Sequence, residues 1–566
     1  MRNALTFSAT LILGVLLTMS GTSTAAADRA HDQAPASLLR QADLDRRAAE
    51  SRAWDSTAET LAEIVAADHP DPPVTPMGGF EGPREGDMDQ VLRTFVAEPG
   101  VARWFLGFGG RGTEARAFAV SQTSNGRLLM VGQIGTPDSG GLPTRIGIVQ
   151  FTHEGTLDTS FNGIGLQTFD FVNAKLELVD GFGLTETLHG IFYDRVYLLA
   201  RDFELASGET FALICLRRPT PGLAFEACPD FPVGIRYYSL GLADTCASDD
   251  SVPAGMYLHR ADPPRIFMVG STRRAFNACA DFDWALLKVG LNGARDSGFG
   301  NDGQVAYWVP NSQPVDVARA RVVTVRALGN FVVVGGSTGT GGSEVSVMAQ
   351  FNPNGSVDAG FCASDDVDCP SPTAHRNGRR SWNSDATGRV TAIAPTLGEG
   401  VYTVRRVGSD AAVQTYGAIS RVDHLGRCSA YCNEALMVPT ERRFEPVAAR
   451  WRALPGGFDL TVAGWGSDPD DIDRNQAFVY RFRHGAGLTI DIDGNFVSRV
   501  GVPWRQDIDW PTVGGTAGRE ARIFAMTVDR QNRVLIAGTS RALDGEFDMS
   551  IARLQGQLEL FSNGFE

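Results

Sequence analysis

The sequence predicts an all-β chain: a seven-bladed β-propeller of four-stranded antiparallel blades behind a short helical N-terminal arm. Three observations carry this. A strand ending in a small residue or glycine recurs seven times along the chain. A second apolar or alternating strand usually follows each copy. No helical period separates the units, whereas turn formers do, and radial repetition of short sheets gives every unit covered edges.

Residues 1–27 read as a signal peptide. Arg2 supplies the positive start, "LTFSATLILGVLL" the apolar core, and "STAAA" the small residues before a cleavage point after Ala27. That core is short for a membrane span, and no later apolar run reaches spanning length. The mature chain is therefore expected outside the cytoplasm, secreted or at the cell surface or in the periplasm, with no transmembrane segment.

Residues 28–90 read as a helical arm and a Pro-rich linker. Trp54, Ala58, Leu61, Ile64 and Val65 fall on one helical stripe, and "HPDPPVTP" from His69 to Pro76 ends it. The propeller is assigned to 91–566.

The recurring strands are "RLLMVGQ" (127–133), "RVYLLAR" (195–201), "RIFMVGS" (265–271), "NFVVVGGS" (330–337), "VYTVRRVGS" (401–409), "FDLTVAGWGS" (458–467) and "RVLIAGTS" (533–540). An earlier strand precedes several, as in "ARAFAVS" (115–121) and "ARIFAMTV" (521–528). "ARWFLGFGG" (102–110) stands before the first full unit, and the last unit stops soon after its third strand. That arrangement suits closure of the ring by an N-terminal strand. Inserts at 219–250 and 362–386 are expected to decorate a loop face.

"GTLDTSF" at 155–161 looks like a site until its siblings are found, "GARDSGF" at 293–299 and "GSVDAGF" at 355–361. Gly155, Gly293 and Gly355 can turn with positive φ. Asp158, Asp296 and Asp358 can accept backbone N–H groups in the next turn. Phe161, Phe299 and Phe361 can bury between blades. Even spacing, once per unit, marks a structural corner.

The strand ending "VGS", the strand after it and the "NG" turn leading to Asp and Phe together resemble the delta-60 repeat of bacterial extracellular proteins. The matching segments are "RIGIVQFTHEGTLDTSFNGIG", "DWALLKVGLNGARDSGFGNDG" and "EVSVMAQFNPNGSVDAGF". The resemblance implies a propeller-like β structure and carries no catalytic residue.

The net charge of −15 argues against nucleic acid as a partner, because that affinity rests on neutralising phosphates. Only Lys175 and Lys288 are lysines among the 51 basic residues, which is read as genome composition. In an exported chain eight cysteines imply disulfides. Cys362 with Cys369 and Cys428 with Cys432 can close local loops. Cys215, Cys228, Cys246 and Cys279 can supply two more bridges.

Other motifs reduce to turns. "GGSTG" (335–339) fits the hydrolase elbow around Ser337 but follows a strand without a helix. "GFGNDG" (298–303) is one copy of a calcium repeat that needs tandem copies. No cofactor is implied. Calcium, which seeks oxygen ligands, has one place to be looked for, at Asp468, Asp470, Asp471 and Asp473. The eight histidines are scattered, with no metal-binding pair among them.

The expected function is that of an exported, non-enzymatic propeller, a binding or surface scaffold for a protein or glycan. The alternative is a secreted hydrolase or lyase with its site in the central channel. The tail Leu560–Glu566, "LFSNGFE", reads as a plain terminal strand, with a sorting segment as the alternative.

Overall fold

Each of the seven recurring apolar strands is the second strand of an antiparallel meander in the computed structural model. The structure describes residues 92–94 and 101–106 and, apart from several loop segments, 115–554. The first blade is Ala115–Gln122, Leu128–Ile134, Thr144–Phe151 and Leu166–Phe171. The third is Val252–His259, Arg265–Arg273, Phe282–Gly290 and Gln304–Tyr307. The fourth is Ala318–Val325, Val332–Thr338, Val345–Phe351 and Arg379–Ser381, and the fifth is Gly388–Pro395, Val401–Val407, Tyr416–Val422 and Glu434–Met437.

The other three blades vary the theme. The second has Leu176–Leu188, Ile191–Asp202 and Phe211–Pro219, with an outer strand split into Glu226–Ala227 and Ile235–Tyr238. The sixth has Phe444–Leu454, Gly457–Ser467 and Asn475–His484, with outer pieces Ile490–Ile492 and Arg505–Ile508. The seventh has Ala521–Val528, Val534–Arg541 and Phe547–Leu554. Its fourth strand is Val101–Leu106, which pairs with Phe547–Leu554, and Leu92–Thr94 adds a fifth outside it. The N-terminal strand thus closes the ring.

The inner strands touch in cyclic order, first blade to seventh and back to the first. The core follows that ring. Seven apolar clusters each fill one boundary between neighbouring blades. This explains why the second strands read as unbroken apolar runs. Val332 and Val334 face the third blade while Val333 faces the fifth, so both pleat faces are buried.

The inserts are less free than the sequence suggests. Within 219–250 lie the two outer strand pieces of the second blade, and within 362–386 lies Arg379–Ser381 of the fourth. Short strands broken by turns carry too little alternation to be seen as strands.

The terminal glycine of the repeated strand has a cause. All seven inner strands slip register by one residue at the same place, at Phe118, Val179, Ala254, Arg321, Thr391, Val447 and Phe524. The residue paired just before each slip is Gly132, Ala200, Gly270, Gly336, Arg405, Gly464 or Gly538. A bulge bends the strand and brings its backbone against the partner. A Cβ on Gly132, Gly270 or Gly538 would lie 2.1, 2.1 or 1.9 Å from a carbonyl oxygen of the bulged strand.

No α-helix occurs among the described residues, and none of them forms a helix long and apolar enough to cross a membrane. The 1–27 segment, the 28–90 arm and the Leu560–Glu566 tail lie outside the described residues.

Candidate functional site

The antiparallel meander fixes which loops share a face. The starts of the inner strands lie on the same face as the connections between second and third strands. The repeated Gly-Asp-Phe turns join third to fourth strands and lie on the opposite face.

On that opposite face, Gly155, Gly293 and Gly355 have φ of 94°, 73° and 86°. Asp158 accepts hydrogen bonds from Ser160 N and Oγ and from the Gln150 amide, and pairs with Arg127. Asp358 accepts from Gly360 N at 3.0 Å and from Gln350 Nε2 at 2.6 Å. Asp296 accepts from Gly298 N and from Arg265 at 2.9 Å, with Lys288 at 3.2 Å. Burial pushes the Asp296 carboxyl up, but bonding to Arg265 and Lys288 outweighs it and holds the group below its usual range. Phe161, Phe299 and Phe361 are fully buried, each in the boundary with the next blade. The residue after each Phe, Asn162, Gly300 or Cys362, has positive φ. Gly300 N then donates to Asn354 O and Cys362 N to Leu425 O, each reaching the turn of the following blade.

On the inner-strand face lies a second set of equivalent residues. Two positions before each bulge stand Arg116, Glu177, Val252, Arg319, Arg389, Glu445 and Arg522. None is buried. In order around the ring, one channel mouth is thus rimmed by four arginines and two glutamates. Along blades four to six the rim is a chain of ion pairs. Glu344, on the connection after the second strand of the fourth blade, meets Arg319 at 3.7 Å and Arg389 at 3.9 Å. Glu445 takes Arg389 at 2.8 Å and Arg406 at 3.1 Å.

Arg321, the bulge residue of the fourth blade, sits beside this chain. Its Nε is buried without a hydrogen-bond partner, and among the described residues its guanidinium makes no ion pair. Burial, with the charges of Arg389 and Arg319, lowers its pKa to about 10 against the opposing charges of Glu344 and Glu445. Arg321 is thus a rim cation with no carboxylate bonded to it among the described residues.

Further along the inner strands, Asp180 follows the bulge of the second blade. It accepts Met256 N at 2.7 Å and Gly181 N at 2.8 Å. Burial raises its carboxyl to about 6, against those two bonds and the charge of Arg450. Arg450, from the inner strand of the sixth blade, is exposed to water. Burial lowers its pKa, and Tyr257 and Asp180 partly restore it. This arrangement can hold and orient an anion. It also offers one carboxyl able to change protonation near neutrality.

The remaining sequence candidates are placed as follows. Ser337 lies within a strand, 1% exposed, so "GGSTG" forms no elbow. "GFGNDG" is the turn leading to Gln304–Tyr307, with Asn301 N and Gln304 O bonded. Cys215 on the third strand of the second blade and Cys228, directly after the outer piece Glu226–Ala227, form a disulfide, and Cys362 is also disulfide-bonded. Cys246, Cys279, Cys369, Cys428 and Cys432 lie outside the described residues, as do Asp468, Asp470, Asp471 and Asp473. Among the described residues no three His, Cys, Asp or Glu side chains gather in a way that holds a metal. The rim had a sequence signal that composition hides: "ARAF" (115–118), "ARAR" (318–321) and "ARIF" (521–524) each place Arg at the same point of an inner strand.

Residues 332–361, the second and third strands of the fourth blade and its Asp turn, match the family described as "Domain of unknown function (DUF5122) beta-propeller". No curated protein matches the sequence. Among solved structures, core factor of S. cerevisiae is similar at 8% identity over 85% of this chain and 65% of that one, with a TM-score of 0.33. An α-L-arabinofuranosidase from Fusarium graminearum is similar at 10% identity over 66% of this chain and 93% of that one, TM-score 0.32. The hemagglutinin-neuraminidase of parainfluenza virus 5 is similar at 9% identity over 78% and 90%, TM-score 0.32. At this distance nothing about activity passes from those proteins to this chain.

Proposed function

We propose that the protein is an exported, non-enzymatic propeller of the delta-60 type that displays its arginine-rich channel mouth to a protein or glycan at the cell surface. The observation that carries this reading is the rim. Equivalent positions on rigid inner strands hold charged side chains unburied, and strands place such groups more firmly than loops do. The signal-like start of the sequence and the Cys215–Cys228 bridge fit an oxidising compartment. The test is capture of glycans on an array and of surface proteins, by mature protein and by Arg319→Glu. Arg319 is exposed, so the variant keeps its core. Capture by the wild type and its loss in the variant are expected. Capture indifferent to the variant would move the binding face elsewhere.

Asp180 favours a second reading, a secreted hydrolase or lyase working in the channel. A carboxyl poised near 6 beside Tyr257 and Arg450 has the pKa of a general acid. Turnover of glycan or ester substrates that Asp180→Asn abolishes would select this reading.

A further inference from the structure

The bulges place seven equivalent residues at one level of the channel. Arg321 of the fourth blade is one of them, and Phe118 and Phe524 of the first and seventh are two others. In a ring of seven, the fourth blade stands opposite the boundary between the seventh and the first. Phe118 and Phe524 cross that boundary, with centroids 5.1 Å apart and planes at 29°, and Phe524 stays partly exposed. Phe118 is buried in the cluster between the first and second blades, so Phe524 is the ring that this level leaves partly exposed across from the fourth blade.

We propose, resting on the reading that the channel mouth is the binding face, that it takes a carboxylate-bearing sugar such as a uronate, gripped by Arg321 opposite Phe524. A guanidinium fork matches a carboxylate in two parallel hydrogen bonds. Arg321 has its donors uncommitted, whereas Arg319, Arg389 and Arg406 already hold Glu344 and Glu445. The partners of those arginines are carboxylates, which shows the geometry that the site favours. The C–H face of a sugar ring can pack on the part of Phe524 that Phe118 leaves uncovered.

The stability of Arg321 variants separates a binding role from a structural one. An enclosed, unpaired guanidinium destabilises the fold that holds it, so an apolar residue of similar length is neutral or stabilising there. The experiment is calorimetric titration of mature protein with trigalacturonate, with a neutral galactose trisaccharide and with poly-glutamate, alongside thermal melting. Trigalacturonate is expected to bind, weakening as salt rises, and the neutral sugar to bind at least about tenfold more weakly. Arg321→Met should lose at least about tenfold in affinity while melting at the same or a higher temperature. Arg321→Lys should retain part of the affinity. No binding of trigalacturonate, or equal binding of the neutral sugar, overturns the assignment. Tighter binding of poly-glutamate makes the ligand an acidic polypeptide instead. A neutral ligand captured on the array and lost in Arg319→Glu would leave the binding face standing and the carboxylate assignment refuted.

Discussion

Gly336 stands against the Arg319 carbonyl oxygen so closely that a Cβ built on it would lie 2.0 Å away. Gly336 pairs with Ala320, directly before the bulge at Arg321. The same glycine that seals the strand pair therefore lets Arg319 and Arg321 present their side chains at two levels of the channel mouth. Gly336→Ala must push the bulged strand away, because the clash is with backbone and no rotamer relieves it. A loss of about 3 kcal/mol in urea unfolding is expected. The equivalent Ala200→Gly, where the second blade already accommodates a Cβ, should cost about 1 kcal/mol.

That pair shows how the sequence can be read and where it stops. The glycine at the end of "FVVVGGS" is visible, as is the apolar run before it, so blade number and strand order follow from counting repeats. The bulge is not visible, since it depends on two strands meeting, and "ARAR" alone does not say which arginine faces the channel. The rim was hidden for the same reason: its members come from different blades and are up to about 400 residues apart in sequence, from Arg116 to Arg522. The repeated turn was legible because the bonds that shape it, from Gln350 to Phe361 in the fourth blade, fall within one short stretch. Its bond to the next blade, from Cys362 N to Leu425 O, was not.

Phe161 is fully buried against Phe225 at 6.0 Å, with the Arg218 guanidinium 5.0 Å from its ring. Phe161→Ala removes the ring from the boundary between the first and second blades. A cost of about 3–5 kcal/mol in chemical unfolding is expected. Asp158→Asn weakens the turn and its pairing with Arg127 but lies on the face away from the rim. It should leave ligand affinity unchanged while lowering the melting temperature. Lost affinity at full stability would give the turn a role in binding.

Asp180 gives stability a pH dependence of known sign. Burial lifts its pKa from 3.8 to about 6, with the Met256 and Gly181 N–H groups and the charge of Arg450 pulling the other way. Between those values the folded chain binds more protons at this site than the unfolded chain. Stability from this group is therefore greatest below about pH 4 and falls as pH rises to about 6. Asp180→Asn cannot ionise, so its melting temperature minus that of the wild type should be smallest at pH 4 and grow up to pH 7. A constant difference across that range would mean that Asp180 ionises as an exposed carboxyl does.

The closing strand makes the last prediction. Val101–Leu106 pairs along Phe547–Leu554 over six residues, from Val101 with Leu554 to Leu106 with Met549. It ties the beginning of the described chain to its last strand, so this blade is completed by backbone hydrogen bonds between distant segments, while apolar clusters fill every boundary between blades. Removing 92–106 leaves Phe547–Leu554 as an open edge, and an unpaired edge accepts strands from other chains. The shortened protein should melt lower than the intact one and associate in a concentration-dependent way on size exclusion. A peptide of residues 92–110 added in excess should return it to a monomer with a higher melting temperature, because strand addition restores the lost pairing. The peptide with Pro in place of Arg103, at the centre of the pairing, should not restore it, since proline cannot donate to the ladder. Unchanged melting after truncation would mean that the blade closes with its own three strands.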